Sequence, residues 1–247
     1  VPGDEQAQQL VGGAMVGKVP MPPTIGQLAA EFAASWGLDM AAPRGPLDHD
    51  AIAQAYIADA RLRDARMRWD AFAAENPQLV ETEWERPQYE ANREAIAKVL
   101  GWQYGAKGLL ASGPTGRGKT RALVELFKRL ACDEGRDVRY YFAGDWFAAL
   151  QAQVNYGRDE ARGWVEACAQ RKLIIIDDLG QEAMQTTRAD WAQGWLFRFL
   201  DLRISRGLPL IVSTNLSSRE MAGRASDVRG DPLVRRFTDL CEIVKFK

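Results

Sequence analysis

Two short runs in this 247-residue chain carry residues whose types and spacing could do chemistry. The first is Gly113-Pro114-Thr115-Gly116-Arg117-Gly118-Lys119-Thr120. Three glycines there let a backbone loop close on a polyphosphate and point its N–H groups inward. In such a loop Lys119 would reach the β- and γ-phosphates and the Thr120 hydroxyl would ligate Mg²⁺. Glycine-rich turns with an exposed lysine also arise by chance. Here, however, the run follows an expected strand and opens an expected helix, as the chemistry requires.

The second run is Leu173-Ile-Ile-Ile-Asp177-Asp178, with Asp177 standing 58 residues after Lys119. Two adjacent carboxylates at the end of a buried strand repel unless a cation neutralises them. Asp177 would hold the metal, directly or through water, and Asp178 would orient an attacking water. Taken alone, the pair reads equally as solvated acids at a strand end. Its pairing with the first run favours ATP and Mg²⁺ chemistry.

A third strand, Pro209-Leu-Ile-Val-Ser-Thr-Asn215, ends in two hydroxyls and an amide. Asn215 could bond the γ-phosphate and the lytic water, since open α/β sheets bind ligands at strand carboxyl ends. A turn or cap residue is the plainer alternative. Arg235 and Arg236, in Leu233-Val-Arg-Arg-Phe237, could stabilise charge on a transferring phosphoryl group or simply form a basic surface.

The order GPTGRGKT, RYYFAGDWFAAL, LIIIDDLGQE, PLIVSTNLSSREM and DPLVRRF resembles the AAA+ ATPases of the DnaC/IstB type, bacterial and phage helicase loaders and transposase helpers. The resemblance covers roughly residues 85–247. It implies an ATP hydrolase that assembles side by side around nucleic acid, with Asn215 as sensor and Arg236 as the finger reaching a neighbour's ATP. Arg235 and Arg229 are lesser candidates for the finger. It also implies that the usual helical lid after the sheet is absent. The second acid is Asp178 where AAA+ proteins generally have Glu, which leaves Asp178 and Glu182 both open for the water. The function implied is placing a replicative helicase on single-stranded DNA. The alternatives are a transposase helper that forms filaments on duplex DNA and a nucleotide-controlled interaction module with little turnover.

The elements that must position these residues alternate. Apolar runs predict strands over 108–112, 138–142, 173–176, 210–213 and 242–246. Helical periods intervene after the glycine loop and over 146–154, 160–170 and 189–205. The fold class is therefore α/β, a parallel sheet covered by helices on both faces. Residues 1–24, rich in Gly, Pro and Gln, read as a flexible arm. Leu28, Phe32 and Trp36 mark a short amphipathic helix, and a longer Ala-rich one runs from Asp48 or Asp50 to Ala74. Residues 25–84 thus read as a small helical partner-binding module before an ATPase domain at 85–247.

Residues 1–104 carry 9 Lys/Arg against 15 Asp/Glu, whereas residues 105–247 carry 23 against 18. The basic back half suits nucleic acid, although solvated faces would give the same balance. Arg158, Arg162 and Lys172 are the candidate DNA contacts, joined by Arg171, with Tyr156 and Trp164 available for stacking or for the core. Trp191 and Trp195 read as packing. One histidine and three scattered cysteines make a structural zinc site improbable and suit a reducing cytoplasm, though one disulfide plus one thiol is also open. No apolar run is long enough to span a membrane.

Overall fold

The computed structural model describes residues 30–31, 34–35, 49–80, 84, 87–105, 107–180, 189–216, 220 and 230–247. The expected arm and the helix at Leu28, Phe32 and Trp36 lie outside the described residues, as do Glu182 and Arg229. The chain divides into two compact units, Val1–His49 and Asp50–Lys247, and the second holds every strand among the described residues.

Five strands, β1 (Gly108–Ser112), β2 (Val138–Phe142), β3 (Leu173–Asp177), β4 (Leu210–Thr214) and β5 (Cys241–Lys245), form one sheet in the order β2-β3-β4-β1-β5. All four pairings are parallel. Parallel neighbours need crossovers, and the helices supplying them cover both faces. The helices are α1 (His49–Glu75), α2 (Pro77–Val80), α3 (Pro87–Glu90), α4 (Arg93–Leu100) and α5 (Lys119–Lys128), the last continuing into a π turn, Arg129–Asp133. Then come α6 (Ala143–Tyr156), α7 (Arg158–Ala169), α8 (Ala189–Ser205) and α9 (Gly230–Leu240).

Strand alternation sorts the core into two layers. Ile174 and Ile176 of β3 join Trp146, Phe199 and Phe237 on one side. Leu173 and Ile175 join Leu123, Phe127 and Trp69 on the other. β1 and β3 are therefore not neighbours: β4 lies between them, so the glycine loop, Asn215 and the two aspartates leave three adjacent strand ends.

The helix expected from residue 48 or 50 to 74 forms as α1. Its second half belongs to the same compact unit as the sheet: Ala65 is fully buried, and the Trp69 and Phe72 rings lie 5.6 and 5.4 Å from that of Phe127. Its first half stays exposed at Ile52, Tyr56 and Ile57. The physical reason is length. The 27-residue helix reaches past the aromatic end that packs on α5 and β2. Among the described residues no helix is long and apolar enough to cross a membrane. Cys132, Cys168 and Cys241 are free thiols.

One fully buried side chain ties the crossovers to the sheet. Arg203, on α8, donates to the carbonyls of Ala169 (3.4 Å), Arg171, Lys172 (3.5 Å) and Pro209. These carbonyls end α7 and lead into β3 and β4, where helix and loop acceptors need partners. Burial pushes its guanidinium down to about 10. Arg203→Met strands these acceptors and is expected to lower unfolding stability by about 2–4 kcal/mol, with Arg203→Lys recovering only part because an ammonium cannot span them. Urea unfolding of the two variants measures the difference.

Candidate functional site

The loop between β1 and α5 is shaped by close backbone approach. At Gly113 (φ 148°) a Cβ would stand 2.2 Å from the Phe246 carbonyl oxygen, so only glycine fits between β1 and the end of β5. Gly118 (φ 94°) caps α5 in the left-handed region, and a Cβ there would meet the Tyr89 ring at 2.9 Å. The free N–H groups that begin α5 thus open onto the loop.

Lys119, the first residue of α5, is buried, and its Nζ turns back into the loop. It donates to Gly113 O and Pro114 O, both at 2.8 Å, and to Asn215 Oδ1 at 2.7 Å. Burial lowers its pKa, and the nearby carboxylates of Asp178 and Asp177 oppose that shift. Asn215 Nδ2 in turn donates to Asp178 Oδ1 at 2.5 Å. The amide orientation follows from its neighbours, since a flip would set the NH₂ against an ammonium and the oxygen against a carboxylate. Lys119, Asn215 and Asp178 therefore form one chain across the ends of β1, β4 and β3.

Asp177 is 1% exposed and is held by hydroxyls rather than by a salt bridge. Ser213 donates to Oδ1 and Tyr140 donates to Oδ2 at 2.9 Å, with the Thr120 side chain close by. Desolvation pushes the carboxyl up, while the Ser213, Tyr140 and Thr120 hydroxyls favour its charged form. A hydroxyl and a carboxylate in contact, in a dry setting, are the donors a hard divalent cation takes, with phosphate oxygens and water completing its shell. Thr120 and Asp177 thus fit magnesium.

Asp178 has φ 58°, the one non-glycine positive φ among the described residues. Its N–H donates to Ser213 Oγ at 2.8 Å, and the left-handed turn swings its exposed carboxylate towards Asn215 instead of along the strand. Left-handed backbone costs about 1–2 kcal/mol for an L-residue, less for Asp, and it persists where surrounding bonds over-determine it.

These groups border a cavity of about 250 Å³ whose opposite wall was not foreseen. Leu79 and Tyr89 line it beside Gly116 and Gly118. Arg121 fixes that wall by donating to Leu79 O (2.5 Å) and Val80 O (2.8 Å), pairing with Glu125 at 2.9 Å and lying 5.2 Å over the Trp84 ring. Nothing in the spacing of residues 79–89 announces a contact with residues 116–121.

The remaining candidates stand apart. Arg236, on α9, does not line this cavity. It is clasped by Asp201 at 2.5 and 3.2 Å and stacks 4.8 Å over Phe197, beside a shallow depression that Arg235 also borders. Arg158 and Arg162 are exposed in the first half of α7, whereas Lys172 follows its far end, roughly 17 Å of helix from Arg158 and roughly 10 Å from Arg162. The three do not form one cluster. Tyr156 is 81% exposed, but Trp164 packs on Trp146 at 5.5 Å, so Trp164 serves the core. Trp195 packs there too.

Among solved structures, the fold is similar to that of the DnaC helicase loader, with TM-score 0.50 and 21% identity over 68% of this chain and 96% of that one. It is equally similar to AMPPCP-bound DnaA from Aquifex aeolicus, with TM-score 0.50 and 20% identity over 67% of this chain and 52% of that one. Among curated proteins no sequence match is found. The family model of IstB-like ATP binding proteins matches residues 53–247, starting within α1 rather than at residue 85. With its glycine loop, Asp178 and strand-end asparagine lining one cavity and Asp177 next to them in the chain, this chain belongs to the family of IstB-like ATP binding proteins.

Proposed function

We propose that this chain is a magnesium-dependent ATP hydrolase of the AAA+ type, completed by a second copy of itself, that loads a replicative helicase onto single-stranded DNA in the cytoplasm. The observation that carries the hydrolase reading is the convergence of Lys119, Asn215 and Asp178 in one hydrogen-bonded chain beside Asp177. In this reading residues 113–120 wrap the phosphates and Lys119 exchanges its loop carbonyls for the β- and γ-phosphates. Thr120 and Asp177 hold the magnesium, which would neutralise charge on the phosphates. Asp178, aimed by Asn215, orients the attacking water; its bond to Asn215 favours it over Glu182. Arg236 stands outside its own subunit's cavity and is therefore assigned to a neighbour's nucleotide.

Steady-state hydrolysis tests this division of labour. Lys119→Ala is expected to weaken ATP binding by about a hundredfold. Asp178→Asn should keep binding and lose about a hundredfold or more in kcat. Arg236→Ala should be equally slow alone, yet a mixture of the Asp178 and Arg236 variants should regain activity, because one intact finger can then serve one intact site. A mixture as slow as its components argues against a shared site.

The loader reading draws on the fold shared with the DnaC helicase loader and assigns partner docking to residues 25–84. Arg158 and Arg162 are its DNA contacts near the start of α7, and Lys172 is a separate one. A transposase-helper role is the second reading, favoured by the family match itself. Gel filtration with a replicative helicase should yield a stable complex that also binds single-stranded DNA. ATP-dependent filaments on duplex DNA without such a complex would favour the helper role instead.

A further inference from the structure

The Asp177 carboxylate is gripped from both flanking strands, and the grip from β2 comes from a residue outside the glycine loop and the two strand-end runs. Tyr140 pairs in register with Ile175, which puts its side chain on the same sheet face as Asp177, two residues further along β3. The side chain is long enough to cover that offset, and its hydroxyl donates to Asp177 Oδ2 at 2.9 Å. Its ring is wedged among three phenylalanines: Phe72 of α1 at 4.8 Å, Phe127 of α5 at 5.5 Å and Phe142 at 5.5 Å. Apolar packing accounts for the ring but not for the hydroxyl. A buried hydroxyl costs free energy unless it is bonded, and phenylalanine would fill the cluster without that cost.

We infer that Tyr140 is a positioning residue that sets the Asp177 carboxylate for its cation and links that carboxylate to helix α1. The inference rests on the proposed magnesium site. Ser213 fixes Oδ1 from β4 and Tyr140 fixes Oδ2 from β2, so the carboxylate plane is set from two sides. Thr120, the other proposed ligand, lies near the same carboxylate. Hydrogen-bond partners of a ligating carboxylate orient it, and removing one typically costs about 10–100-fold in metal affinity. Phe72 carries the link outward. It belongs to the packed half of α1, whose other half is exposed, so a shift of α1 moves the ring that holds the magnesium ligand.

The test is a titration of the full chain with a fluorescent ATP analogue, in EDTA and across a magnesium series. Tyr140→Phe keeps the ring and removes the hydroxyl. It should leave the Kd in EDTA within about twofold of wild type and raise the half-saturating magnesium concentration about tenfold. Phe72→Leu should shift magnesium dependence the same way, by less. Unchanged magnesium dependence in Tyr140→Phe overturns the inference. A loss of binding in EDTA as well also overturns it, by showing that the hydroxyl serves folding of the site as a whole. If magnesium does not tighten binding to the wild type, or if Lys119→Ala binds normally, the nucleotide site itself is wrong.

Discussion

A carboxylate buried at the end of an all-aliphatic strand has to be held, and the architecture around the site follows from how Asp177 is held. Ionised acids are costly in dry surroundings unless hydrogen bonds or a cation compensate. Here the hydroxyls come from three elements, Tyr140 on β2, Ser213 on β4 and Thr120 on α5, so the acid can be satisfied only once β3 sits between its neighbours. Ser213 does double duty, because its oxygen also accepts the Asp178 N–H and so stabilises the left-handed turn that aims the second acid. The strand order that inserts β4 between β1 and β3 is thus what brings Asn215 between Lys119 and Asp178.

The same constraint divides the molecule by layer. On one face, α5 starts at the glycine loop and packs through Phe127 on the ring cluster that surrounds Tyr140. On that face too, α1 closes the cluster with Trp69 and Phe72. The opposite face is built from α6 to α9, where Arg203 ties the loops entering β3 and β4 together and Arg236 faces outward from α9. Asp177 and Arg236 therefore belong to different layers of one subunit.

Local chemistry explains what could be read in advance. The strands showed because runs such as Leu173 to Ile176 are aliphatic on both faces, and the glycine loop showed because its spacing is rare without phosphate. Asn215 was legible from its place after a buried strand. Tyr140 was not: in Arg-Tyr-Tyr-Phe, alternation offers two faces but says nothing of a hydroxyl reaching Asp177. The Leu79 and Tyr89 wall rests on contacts across more than 25 residues, and Arg203 has no sequence mark separating it from a surface arginine. The packing of Trp69 and Phe72 on the core was hidden too, because the alanine-rich pattern of α1 gives little hint of it. Trp164 remained open between stacking and packing until its contact with Trp146 decided for packing.

The most direct measurement is a crystal structure of the full chain with magnesium and a non-hydrolysable ATP analogue. The account predicts that Lys119 Nζ leaves the Gly113 and Pro114 carbonyls for the β- and γ-phosphates. It also predicts that the Thr120 hydroxyl ligates the metal, while Tyr140 and Ser213 keep their bonds to the carboxylate. A nucleotide bound elsewhere, or a metal that ignores Thr120 and Asp177 while Lys119 stays on its loop carbonyls, would contradict it.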